Sequence, residues 1–227
     1  MNLTGTVKNL MIEYSFFSGN SLAGAFASLV SPTGVILNCT SVYNHVNCTG
    51  SGKSAAGGFS GENRGLILES ISKHNRILSH STSDASAGGV SGNQLGFVSN
   101  VISQENNLLA VSTAANSAAG SVSGIQHGNI SFAVTTGNDV KTQASGSMNA
   151  YSGGISGVQT NMANTTTCQS SSNEMVATSK DSCAGGVVGE LLSGQISDCL
   201  IANIHNSAVH TGSCVGLNVN GTVLGCE

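Results

Sequence analysis

Eleven carboxylates, six histidines and seven cysteines are the residues of this 227-residue chain that could bind a metal ion, move a proton or attack a carbonyl. Their spacing supports little of that chemistry. Cys39, Cys48, Cys168, Cys183, Cys199, Cys214 and Cys226 contain no C-x-x-C pair, so no zinc site is expected. An odd count leaves at least one of them unpaired within the chain, and buried cysteine behaves as a small hydrophobe. Among His45, His74, His80, His127, His205 and His210, only the last two are close, and five apart on a strand they fall on opposite faces. No G-x-S-x-G elbow, phosphate loop or H-E-x-x-H helix is present. The one carboxylate pair whose phase in the chain matches is Asp139 and Glu174. Side by side they could hold a hard cation or share a proton, because close like charges push one pKa upward. Two solvated surface residues are the plainer reading. No catalytic residue, metal ligand or cofactor is assigned.

Composition narrows the partners. Only 8% of residues are charged, 4% are aromatic and 39% are hydrophobic, with 30 glycines, one proline and a net charge of −4. Disordered chains carry more charge and less apolar surface, so a folded chain with a narrow core of small side chains is expected. Nucleic acid is an unsuitable partner without a clustered basic stripe. No apolar run approaches the ~20 residues of a membrane helix, and residues 1–20 lack the basic start and apolar stretch of a signal peptide.

The elements that would position these residues follow from an internal repeat. A phrase of Gly-Gly, a hydrophobic residue, any residue and Gly recurs, as in Ala56-Gly57-Gly58-Phe59-Ser60-Gly61 and Ala87-Gly88-Gly89-Val90-Ser91-Gly92. Its hydrophobic residue falls at 26, 59, 90, 122, 155, 187 and 214, a period of about 32. A second phrase starts at Gly 5, 34, 65, 96, 128, 194 and 221, with Asn161 in place of the missing copy. Inward columns are expected two and five residues later, the first including Ala163 and the second Thr166, Cys199 and Cys226. The third phrase is Asn followed two residues on by a hydrophobic residue, at Asn44, Asn75, Asn106, Asn138, Asn173 and Asn206. The residues between form an outward column of His45, Arg76, Asn107, Asp139, Glu174 and Ser207.

Three short strand-like phrases per period, with Gly-Gly opposing helix in four of the seven units, predict an all-β parallel β-solenoid. It would comprise about seven coils of three strands each, most simply a right-handed β-helix, and residues 1–227 would form one repeat array. At the ~4.8 Å strand spacing the rod would be about 34 Å long. The six asparagines are expected to form a ladder along it, accepting the left-handed conformation that ends a strand.

The glycine phrase, followed by Gly-x-Ile/Val-x-x-Cys as in Gly194-Gln195-Ile196-Ser197-Asp198-Cys199, resembles the GLUG-motif repeats of bacterial and protist surface proteins. The resemblance implies a β-solenoid stalk, spacer or adhesive surface at the cell surface or outside the cell, carrying no catalytic residue. Its expected partner is a host or cell-surface protein or glycan. Solenoids also serve as polysaccharide-acting enzymes and ice-binding proteins, but the carboxylates here are dispersed and no Thr-x-Thr column is present. The chain opens and closes at one phase of the repeat, which adds end-to-end self-association into a filament as a rival expectation. Six sequons, at Asn2, Asn38, Asn47, Asn129, Asn164 and Asn220, would accept glycans on a eukaryotic secretory route.

Overall fold

A computed structural model describes all 227 residues as a parallel β-solenoid of about seven turns with roughly 31 residues per turn and no helix. One turn carries five short strands: in the third coil they are Ser54–Gly57, Ser60–Asn63, Leu66–Leu68, Ile71–Lys73 and Arg76–Ser81, here called positions one to five. Each pairs in parallel with its equivalents one coil away, as Arg76–Ser81 does with His45–Gly50 and Asn107–Ser112. Positions one, two and five build sheets of seven, eight and seven strands. Positions three and four share a fourteen-stranded sheet, because Gly194–Ala202 runs through both without a break.

The expected three strands per coil are thus five, since two of the phrases contain a corner. In the first, the two strands fold into a V around Gly58-Phe59. A Cβ on Gly57 would strike the Ser60 carbonyl oxygen, and one on Gly61 would lie 2.7 Å from the Ala23 backbone nitrogen. Glycine therefore lets two strand backbones meet at the apex. The hydrophobic residue of the phrase turns into the core: Phe59, Val90, Val122, Ile155 and Val187 are fully buried. In the second phrase the corner is one left-handed residue, from Asn9 through Asn38, Glu69, Asn100, Phe132, Thr167 and Asp198 to Gly225.

Tyr14, Tyr43, His74, Glu105, Gly137, Ser172 and Asn203 make a second left-handed corner. Five of them precede the ladder asparagines, while Tyr14 precedes Ser15 and Asn203 precedes Ile204, so the left-handed conformation falls one residue earlier than expected.

The core is a stack of apolar columns. One is Val7, Ile36, Ile67, Val98, Ile130, Thr165, Ile196 and Val223 in continuous register. Thr165 stands where Ala163 was expected, and Cys168 rather than Thr166 lies one coil from Cys199. Asn161 and Met162 cause the two-residue shift: both are left-handed, and the exposed Met162 stands out from the coil before pairing resumes. The Thr165 hydroxyl, fully buried, is satisfied by Gln126 at 3.1 Å and Gln159 at 2.9 Å.

Candidate functional site

Five of the six asparagines form one hydrogen-bonded ladder. Asn44, Asn75, Asn106, Asn138 and Asn173 are buried, and each side-chain oxygen accepts the backbone N–H of the equivalent residue one coil earlier, at 2.8–3.0 Å. Their amide nitrogens donate to the preceding coil: Asn75 Nδ2 reaches the Ser41 carbonyl at 2.8 Å, Asn106 Nδ2 the Ser72 carbonyl at 3.0 Å and Asn138 Nδ2 the Ser103 carbonyl at 2.8 Å. A serine three residues upstream takes a further amide hydrogen in four coils, from Ser41, Ser72, Ser103 and Ser170. This serine column was not anticipated; its signal is the Ser-x-x-Asn spacing itself.

Asn206 is not in the ladder. Its coil pairs Glu174 with His205 and Met175 with Asn206, so Ile204 occupies the ladder place and Asn206 turns into the apolar column of Phe17, Val46, Ile77, Leu108, Val140 and Met175. Its Nδ2 donates to the Gly212 carbonyl at 2.8 Å, and its Oδ1 is buried without a partner.

The outward column of position five is His45, Arg76, Asn107, Asp139, Glu174 and His205, with His205 where Ser207 was expected. Asp139 and Glu174 are register partners on adjacent coils. Lys141 Nζ donates to Asp139 Oδ2 at 2.6 Å, and this bond holds the lysine above its usual range, with the charges of Asp139 and Glu174 adding. The pair is therefore one half of a small charged patch with Lys141. No three His, Cys, Asp or Glu side chains anywhere in the fold converge as metal ligands.

A second surface feature lies on the left-handed corner beside the ladder. Tyr14 and Tyr43 stack with ring centroids 5.0 Å apart and planes 6° from parallel, and Tyr43 stacks on His74 at 4.7 Å. His74 Nδ1 then meets Glu105 Oε2 at 3.0 Å. The phase of these residues, which precede Ser15 and the ladder asparagines Asn44, Asn75 and Asn106, is legible in the sequence; the stacking follows from the coil spacing.

The third feature is a cleft between the limbs of the V. Position one contributes outward residues Ala55, Ser86, Ala118, Tyr151 and Cys183 in register. Position two contributes Leu29, Glu62, Asn93, Ile125, Val158 and Glu190. In the fourth coil the limbs are tied by Ser86 Oγ donating to Asn93 Oδ1 at 2.8 Å. Farther on, a cleft of about 290 Å³ is lined by Asp84, Asn116, Ile125, Tyr151, Val158 and Glu190, among others. Glu190 is only 7% exposed, and burial raises its carboxyl pKa against the opposing effect of the Tyr151 hydroxyl. Burial likewise raises the Tyr151 phenol above its ordinary range. The Cys183 thiol is pushed up to about 11, by burial first and then by the charges of Glu190 and Asp181.

Ladder, core columns and outward rows together define a parallel β-solenoid whose side chains are divided between coil-to-coil bonding and a free surface. No protein-family model and no curated protein matches the chain.

Proposed function

We propose that this chain is a non-catalytic scaffold segment of a cell-surface or secreted protein, presenting its Ser-, Thr- and Asn-rich outer face to a protein or glycan, or spacing another domain. The supporting observation is the division of labour along the repeat. Positions that recur in every coil face inward or bond coil to coil, whereas the outward column His45, Arg76, Asn107, Asp139, Glu174 and His205 changes at every step. Regularity serves folding and leaves recognition to the irregular rows. The resemblance of the glycine phrases to GLUG-motif repeats favours the same reading, as does the engagement of Asp139 by Lys141.

The test is binding of the intact chain to glycan arrays and to surface-protein libraries, with sedimentation across concentration in parallel. A ligand lost on combined Arg76→Ser, Asp139→Ser and Glu174→Ser, with the far-ultraviolet spectrum unchanged, supports the presenting surface. Release of reducing ends from a polysaccharide overturns the non-catalytic reading. Mass that grows with concentration replaces it with end-to-end assembly.

A further inference from the structure

We propose that the cleft of the V binds a primary ammonium carried on an apolar stem, with Glu190 as its counter-ion. This inference is independent of the outward rows of position five.

The argument begins with charge. Four acidic side chains of the molecule have a cationic or imidazole partner: Asp84 with Lys53 at 2.9 Å, Glu62 with Arg64, Glu105 with His74 and Asp139 with Lys141. Glu190, more buried than any other carboxylate of the chain, has none. A carboxylate withdrawn from water with no cation beside it disfavours its own charged form, which is the direction in which burial moves Glu190. A guest ammonium would restore that ionisation. Lys53 is paired with Asp84 instead.

Shape selects the remainder of the guest. Ala118, Ile125, Val158 and Leu192 give the cleft an apolar lining, with Asp84, Asn116, Tyr151 and Glu190 as its polar groups. Asn149 Nδ2 donates to the Tyr151 hydroxyl oxygen at 2.7 Å, and the Tyr151 hydroxyl partly offsets the effect of burial on Glu190. At about 290 Å³ the space is at the lower bound of small-ligand clefts, about 300 Å³. One alkyl chain with a charged head fits it; an oligosaccharide does not. Methylenes against the aliphatic wall and a cation on the carboxylate match both halves of the surface.

The test uses the intact chain with methyl-labelled Ile, Leu and Val. Titration with n-pentylammonium, with a lysine-containing pentapeptide and with n-pentanol is followed at Ile125, Val158 and Leu192. Saturable shifts with either amine, at least tenfold weaker in Glu190→Gln and unchanged in Asp139→Asn, are the expected result. Tighter binding of the peptide places the ammonium in a partner polypeptide; equal binding places it in a free amine. Affinity falls as pH is lowered through the raised titration of Glu190, because the amine stays protonated, with a pKa of about 10.4, while the carboxylate is lost. Equal affinity for n-pentanol, or full affinity in a folded Glu190→Gln variant, overturns the proposal.

Discussion

At the scale of single residues, the ladder asparagines carry more hydrogen bonds than their size suggests. Asn106 accepts the Asn75 N–H and donates to the Ser72 carbonyl and the Ser103 hydroxyl, all within the buried interior. Asn106→Ala orphans these groups, and each unsatisfied buried group costs about 1–3 kcal/mol. The variant is expected to lose at least about 2 kcal/mol in urea denaturation. Asn206→Ala, which removes one bond to Gly212 at a half-buried site, is expected to lose less than about 1 kcal/mol. Equal losses would show that the ladder adds nothing beyond composition. Glu190 supplies a prediction of opposite sign. Its folded pKa lies above the unfolded one, so between the two values the folded state holds the proton more often and stability falls as pH rises. Glu190→Gln removes that dependence: it is expected to raise the melting temperature at neutral pH and to leave it unchanged at pH values below both pKa values.

At the scale of the strand and its corners, the phrase boundaries were legible and the strand count was not. Gly-Gly-hydrophobic-x-Gly marks a repeating unit, but nothing in residues such as Ala56 to Gly61 says that the chain reverses its outer face within them; only the approach of Gly57 to the Ser60 carbonyl shows it. The same V hides the cleft. Glu190 is readable as the residue after a repeat glycine, in the column of Glu62 and Asn93, and a column alone does not distinguish a solvated row from one facing another strand. Asn206 departs from the ladder for a related reason: the coil keeps its phase from the left-handed corner, Asn203, and not from the asparagine. That corner rule yields a prediction. Phe132 is 54% exposed and holds φ at 52°, a conformation that costs a side-chain-bearing residue about 1–2 kcal/mol. Phe132→Gly relieves the strain at an entropic cost of about 0.5–1 kcal/mol, so a net gain between zero and about 1.5 kcal/mol is expected in thermal unfolding. Gly57→Ala, which places a Cβ on the Ser60 carbonyl, is expected to destabilise strongly.

At the scale of the whole molecule, each coil is held by its two neighbours, and burial records it. Leu3 is the only buried residue among the first twenty, and none beyond Cys199 is buried, while Phe59, Ile67, Ile77, Val98 and Leu108 are fully enclosed. Stability in such a stack is a sum of nearest-neighbour terms, so a coil paired on one side opens locally before the stack unfolds. One covalent bond opposes this at the C-terminal side: Cys214, at the V of the last coil, is joined to Cys226, which pairs in register with Cys199. The other five cysteines are buried and free. Closing a loop of this length restricts the opened chain, an effect on the order of 3 kcal/mol. Cys214→Ser in this 227-residue chain should therefore raise amide hydrogen exchange across residues 205–226, where the coil pairs with the coil before it and carries the bridge. Exchange in Ser91–Thr142 should not change, because those coils keep both partners. A uniform rise along the rod would mean that the solenoid opens as one cooperative unit, and the nearest-neighbour account of its stability would fail.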